Sequence, residues 1–381
     1  MALPINHHVK TIEISGIRKF FNLVAERNDI LSLTIGQPDF PTPEIVKEKA
    51  KAAIDQNLTT YTPNHGLKEL REAVSHYLNE TYLLETSYDE VLITVGASQA
   101  LDIALRTILS PGDEVIVPSP IYPGYQPLIE MQGATVKEID TTASQFKLTL
   151  EQLEGQISEK TRCLILPYPS NPTGVSLTQT ECEMIAAFVK KHNLYLITDE
   201  IYSALTFDFE HFSMGRIKAI KDQLIVINGL SKSHAMTGWR IGFLVASQAL
   251  INQCVKVLQY SVSCASSISQ YAALAAVTEA KTTPVAMKEA YKERRDYVYH
   301  RLTAMGLTVV KPDGAFYFMF KIPHHLNAFD LALDILEQAK VAFVPGSSFG
   351  QAGEGYLRLS YAYSMDTLVE GLDRLAMYLS K

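Results

Sequence analysis

The sequence predicts an α/β fold, with a mostly parallel central sheet flanked by helices and a smaller α+β unit after it. Two observations carry this. From about residue 90 to 247, short β-branched runs alternate with longer helical patterns. After about residue 280 that alternation gives way to a charged helix, two strand-like runs and a final helix.

Strands are expected at EVLITVG (90–96), EVIVPSP (114–120), TRCLILPY (161–168), LYLITDE (194–200), LIVINGL (224–230) and RIGFLVA (240–246). The first two enclose SQALDIALRTILSPGD, where Ala100, Leu101, Ala104, Leu105 and Ile108 recur at helical spacing and Pro111-Gly112 ends the pattern. TECEMIAAFVKKH supplies a second helix between the third and fourth runs. Nearly continuous apolar strands belong to a sheet covered on both faces, so it should be mostly parallel. The later unit reads as a helix through MKEAYKERRDYVYHRLTAMG, a strand through GAFYFMF, a helix through LALDILEQAK, a strand at YLRLSYA and a last helix. No linker or repeat divides the chain, so the smaller unit should pack firmly on the larger.

Composition narrows the function. Of 381 residues 47% are hydrophobic, ordinary for a globular chain that can fill a large core and a second domain. The formal charge of −7 argues against a nucleic-acid partner. Cys163, Cys182, Cys254 and Cys264 form no CxxC or His-flanked cluster, so no metal site or disulfide framework is expected and the thiols read as buried. No apolar run approaches the ~18 residues that span a bilayer, and MALPINHHVKT is too polar for a signal peptide. A cytoplasmic protein without a membrane partner is expected.

Three constellations carry chemistry. In SKSHAMTGWR, after the apolar run LIVINGL, Ser231, Lys232 and Arg240 bring together a hydroxyl, an amine and a guanidinium. Such a set can grip a phosphate while the amine attacks an aldehyde carbon. An isolated lysine is usually just solvated, so the neighbours carry the argument. In TDEIYSAL, Asp199 ends a strand and Tyr202 follows; a carboxylate there can keep a heterocyclic nitrogen protonated. In TVGASQAL, the N–H groups of Ala97 and Ser98 at a helix start, with the Ser98 hydroxyl, can receive a phosphate. The PYPSNPTG segment with Asn171 would alone be read as a turn. Arg358 lies among apolar residues in GYLRLSYA, where a lone charge is costly unless paired; its planar fork suits a carboxylate.

These motifs, in this order, resemble those of the class I pyridoxal-phosphate-dependent aminotransferases, and most closely the bacterial aminotransferase A and N-acetyl-diaminopimelate aminotransferase group. The resemblance runs from about Ile30 to Arg358. It implies the aspartate aminotransferase-like fold, with a large cofactor-binding domain over 41–280 and a small domain made of 1–40 and 281–381. It also implies pyridoxal 5′-phosphate held on Lys232 as a Schiff base, with Lys232, Asp199 and Tyr202 catalytic. Ala97, Ser98, Tyr122, Asn171, Asp199, Tyr202, Ser231, Lys232, Arg240 and Tyr61 would bind cofactor, Tyr122 by stacking on its ring; Tyr125 reads as a core tyrosine. Tyr61 of YTPNHG is similar to a tyrosine that reaches the neighbouring subunit's site, which makes the protein a homodimer. Gly36 of SLTIGQPDF, Asn171 and Arg358 would bind substrate, and ISGIRKF would cover the site.

The implied activity is transfer of the α-amino group of an L-amino acid to a 2-oxo acid, 2-oxoglutarate first among them, by a ping-pong route in amino-acid metabolism and biosynthesis. N-acetyl-diaminopimelate and aromatic amino acids are candidate donors, GAFYFMF being compatible with the latter. A C–S lyase on the same fold would use the same Lys232, Asp199 and Arg358; pyruvate formed without any oxo-acid acceptor would separate it from a transaminase. A non-enzymatic regulator of this fold would carry an added DNA-binding region, and none is expected here. Arg18 could serve a dicarboxylate substrate, although an exposed helical arginine is the plainer reading, and an aspartate-specific enzyme ranks low.

Overall fold

The computed structural model describes residues 3, 5–10, 12–25, 27 and 29–380. Seven strands form the central sheet: β1 (Val91–Val95), β2 (Glu114–Ser119), β3 (Thr135–Asp140), β4 (Thr161–Leu166), β5 (Tyr195–Asp199), β6 (Leu224–Gly229) and β7 (Ile241–Ala246). Their spatial order is β1-β7-β6-β5-β4-β2-β3. All neighbours pair parallel except β7, which runs antiparallel to both β6 and β1. The longer helices are α1 (Gly16–Ala25), α2 (Glu44–Asp55), α3 (Lys68–Tyr82), α4 (Gly96–Ile108), α5 (Gln179–Lys191), α6 (Gln248–Ser261), α7 (Ser267–Thr278), α8 (Thr283–Ala304), α9 (Ala328–Ala339) and α10 (Met365–Leu379).

The β-branched runs are continuous because both faces of the sheet are covered. Along β1, Val91 and Ile93 enter one apolar cluster and Leu92 the opposite one; along β4, Leu164 and Leu166 alternate in the same way with Cys163 and Ile165. Each fully buried aliphatic side chain contributes about 1.5–3 kcal/mol, so the strand ends stand on a rigid platform. Of the thiols, Cys163, Cys182 and Cys254 are buried and Cys264 is only half-buried.

A second sheet, ordered β10-β11-β9-β8, is built from β8 (Thr308–Val309), β9 (Tyr317–Lys321), β10 (Val344–Pro345) and β11 (Tyr356–Ser360). It has an apolar cluster of its own, which also takes in Phe20 and Val24 of α1 and Leu33 from the N-terminal segment. Leu31–Ser32 pairs with Val341–Ala342, stitching that segment to this unit.

The structure adds elements that periodicity did not find. Strand β3, TVKEID, lies at the sheet edge with Thr135, Lys137 and Glu138 reaching solvent, so it lacks the apolar run that marked its neighbours. The strand expected through GAFYFMF begins only at Tyr317, because Ala315 sits at φ +56° in the turn before it. Helix α4 starts at Gly96, directly off β1, with no intervening loop.

Candidate active site

Parallel strands deliver their carboxyl ends to one edge of a sheet, and an antiparallel strand delivers its start there. That rule assembles the site. Beta1 leads to Gly96, Ala97 and Ser98, β2 to Tyr122, β4 to Asn171, β5 to Asp199 and Tyr202, and β6 to Ser231 and Lys232. The antiparallel β7 starts at the same edge, just after Arg240. All of these except Gly96 line one cavity of about 600 Å³, closed on the far side by Arg358 and Tyr317 from the second sheet and by Gly36. Tyr61 does not line it; this side chain is 88% exposed.

At the base of the cavity, Lys232 Nζ donates to the Gly36 carbonyl at 2.6 Å and lies 5.7 Å from the ring centres of Tyr202 and Phe316. Burial, and then the positive charges of Arg358 and Arg240, bring its amine down to about 8, against the pull of Asp199. An amine lowered in this way can serve as a nucleophile or a base. The Asp199 carboxylate is held by two donors: Tyr125 Oη at 2.7 Å to Oδ2 and the Ile201 N–H at 3.2 Å to Oδ1. Burial still raises the Asp199 carboxyl above its ordinary range.

The phosphate-sized corner is defined by glycine. Gly96 adopts φ +74°, and a Cβ there would lie 2.5 Å from Arg240 Nη2, so the guanidinium rests on the first turn of α4. A Cβ on Gly242 would lie 2.5 Å from Ala97 N and 2.4 Å from the Gly96 carbonyl carbon, so only glycine lets β7 approach the helix start this closely. Free N–H groups of the first helical turn, the Ser98 hydroxyl and Arg240 together suit a dianion. The donor set fits pyridoxal phosphate: an amine for its aldehyde, a carboxylate for its ring nitrogen and this corner for its phosphate.

Arg358 is 2% exposed. Strand partners on both sides, Met319 and Val344, fix its direction; Leu357 and Leu359 face the core and Arg358 faces the cavity. Its guanidinium donates to Asn171 Oδ1 at 2.8 Å and to the Thr34 carbonyl at 2.7 Å, while Nε has no partner. Burial lowers its pKa, and no carboxylate offsets the charge. The group is therefore a desolvated cation facing open space with neutral acceptors behind it.

Two residues passed over by the sequence reading, Tyr125 and Tyr317, line the cavity. Tyr125, read as a core tyrosine, is buried but spends its hydroxyl on Asp199. Tyr317 of GAFYFMF meets the Tyr202 hydroxyl at 2.7 Å and fills the space a Gly36 side chain would need, 2.1 Å from its Cβ position. Arg18, given as a candidate for a dicarboxylate substrate with an exposed helical arginine as the plainer reading, is exposed and lines the cavity. A tyrosine three residues after Tyr122 was a signal in the sequence, but only geometry identifies its acceptor.

An amine, an acid and a phosphate corner on the carboxyl edge of an α/β sheet are the parts of a pyridoxal-phosphate enzyme. Residues 28–375 match the family described as aminotransferase class I and II, and the chain belongs to that family, whose members depend on pyridoxal phosphate. It is 56% identical to the "Probable N-acetyl-LL-diaminopimelate aminotransferase" of Bacillus subtilis (strain 168), over 99% of this chain and 96% of that protein. Among solved structures, the aspartate aminotransferase of Thermus thermophilus with maleate superposes with a TM-score of 0.93 at 36% identity, over 99% of this chain and 100% of that one. The aromatic aminotransferase of Pyrococcus horikoshii OT3 gives 0.90 at 39%, over 96% and 98%. The protein is an aminotransferase with the aspartate aminotransferase-like fold.

Proposed function

We propose that the protein moves the α-amino group of an L-amino acid to a 2-oxo acid, 2-oxoglutarate being the first acceptor to test, in two half-reactions that share one site. The observation that carries this reading is the convergence of Lys232, Asp199, Arg240 and Arg358 on one cavity. Pyridoxal phosphate, when bound, supplies the electron sink that makes the substrate α-proton acidic. Lys232 holds the cofactor and its Nζ moves that proton; burial keeps the amine neutral enough to do so. Asp199, steadied by Tyr125 and the Ile201 N–H, keeps the ring nitrogen protonated. Tyr122 stacks on the ring. Ser231, Arg240, Ala97 and Ser98 take the phosphate. Arg358 receives the α-carboxylate, the anion its buried guanidinium lacks. Asn171, whose Oδ1 accepts from Arg358, keeps its amide nitrogen for the ring oxygen beside Tyr202.

On this reading residues 41–280 form the cofactor domain, and residues 1–40 with 281–381 the domain that supplies Arg358, a division supported by the separate apolar clusters. The exposed Tyr61 reaches the site of a second subunit in a homodimer. The setting is the cytoplasm; no helix among the described residues is long and apolar enough to cross a membrane. The names of the relatives bring forward N-acetyl-diaminopimelate, aspartate and aromatic donors.

The test is the near-ultraviolet and visible spectrum of the purified protein, recorded as single amino acids are added without acceptor, with Lys232→Ala as control. Wild type should lose the absorption of bound cofactor with its donors, and Lys232→Ala should not. A protein that stays colourless after pyridoxal phosphate is added sinks the reading. Absorption that persists while pyruvate accumulates moves it to a C–S lyase.

A further inference from the structure

Asp199 and Glu200 are neighbouring acids with opposite placements. Asp199 ends β5 and lines the cavity, whereas Glu200 does not line it and is 1% exposed. The Glu200 N–H is held by the Ile227 carbonyl of β6 at 2.8 Å, and its carbonyl accepts from the Ser203 N–H at 2.9 Å. The backbone that aims Asp199 is therefore anchored at the next residue.

The Glu200 side chain is met by donors. Its Oε1 accepts from Thr198 Oγ1 at 3.2 Å, Ser213 Oγ at 3.0 Å and the Met214 N–H at 3.1 Å, and its Oε2 bonds His211 Nε2 at 2.9 Å. Such a set fits the ionised carboxylate. Among the described residues His211 is its one salt-bridge partner, with no lysine or arginine beside it. In this arrangement the ring brings no compensating charge, because Nδ1 is buried without a partner and a second proton there would have no acceptor. A buried charge answered by neutral donors is costly, and a glutamine could accept from the same two hydroxyls and N–H without it. The charge does reach Asp199: burial first, and then Glu200, raise that carboxyl, against Tyr125, the Ile201 N–H and Lys232.

Resting on the aminotransferase reading, we propose that Glu200 is a positioning residue for Asp199: its four bonds fix the aim of the preceding carboxylate, and its negative charge makes Asp199 hold the proton of the ring nitrogen more tightly. Glu200 touches neither cofactor nor substrate. If it served only to tie the loop at 211–214 to the end of β5, its charge would have no use. The other titratable groups that feel it are Cys182 on α5 and Tyr82 at the end of α3. Burial and then Glu200 push the Cys182 thiol up to about 12, and burial holds the Tyr82 hydroxyl well above its ordinary range, so neither changes charge near neutral pH.

The experiment removes the charge in two ways, Glu200→Gln and Glu200→Met, and keeps it in Glu200→Asp. For each variant the pH midpoint of the visible absorption of bound pyridoxal phosphate is recorded, together with the affinity of the apo-protein for the cofactor and the melting temperature. A nearby anion favours the protonated form of the bound cofactor, so losing it should lower the midpoint by about 0.5 pH unit or more in both Glu200→Gln and Glu200→Met. Cofactor affinity should fall about threefold or more in the same two variants. Glu200→Asp should melt earlier, since its shorter chain cannot reach all four donors, yet keep its midpoint within about 0.2 unit of wild type. A midpoint unmoved in Glu200→Gln and Glu200→Met, or moved as far in Glu200→Asp, overturns the proposal and leaves the aminotransferase reading in place. A wild type that shows no cofactor absorption removes both.

Discussion

Two buried arginines show how this chain separates structure from function. Arg295, on α8, is 0% exposed and lies 4.9 Å from the Phe207 ring. Arg358, on β11, is 2% exposed and lies 4.4 and 4.7 Å from the rings of Tyr317 and Phe349. Their surroundings differ in one respect. Arg295 grips Asp208 with both terminal nitrogens, at 2.7 and 3.2 Å, gives Nε to Asp296 at 3.0 Å and also reaches the Pro312 carbonyl. Burial opposes that charge, but the carboxylates outweigh it and the pKa rises. Arg358 has only Asn171 and the Thr34 carbonyl, and its pKa falls. A buried cation whose anion is built in holds the fold; one whose anion is missing is, on the proposed reading, a receptor for one.

The comparison breaks most sharply if Arg358→Met retains activity. That variant should lose about 10²–10⁴-fold in kcat/KM for every amino acid, since it removes a bidentate charged contact. Its melting temperature should hold or rise, because an uncompensated buried charge has been replaced by an apolar chain of similar size. Arg295→Met should do the reverse. It should lose about 2–4 kcal/mol of stability in urea unfolding, discounted for solvent access to Asp208 and Asp296, while kcat/KM of the folded fraction stays within about threefold. The smallest effect concerns the neighbouring amine. Cofactor uptake by the apo-protein should accelerate as pH rises through about 8, where the Lys232 amine loses its proton, and level off above. Arg358→Met should move that midpoint upward, because it removes a positive charge that depresses the amine.

Much of this was legible in the sequence, for reasons the structure makes physical. Central strands such as β5 and β6 are buried on both faces, so they had to be written as unbroken apolar runs, and the chemistry had to follow their ends. Arg358 stood out because a strand with Leu357 and Leu359 on either side offers a charge no solvent. Arg295 did not, because KERRDY reads as a solvated helical face and Asp208 is remote in sequence. Edge strand β3 hid behind its charges. Tyr125 and Tyr317 were invisible as site residues, since a tyrosine's acceptor is set by tertiary packing. Arg18 was legible as a candidate through ISGIRKF, and its place on the cavity wall follows from α1 burying Phe20 and Val24.

The reversed direction of β7 has a further consequence. Had that strand run with the others, Arg240 would have fallen at the opposite edge of the sheet, remote from Lys232. Because it turns back, a single short connection carries the amine at one end and the guanidinium at the other, with Gly229 and Gly242 paired at its base. The segment from Leu230 to Arg240 is thus a covalent ruler, its length setting the spacing between the two groups. Loops elsewhere on this surface can grow or shrink without touching that spacing, whereas one residue added here would shift the two ends out of step.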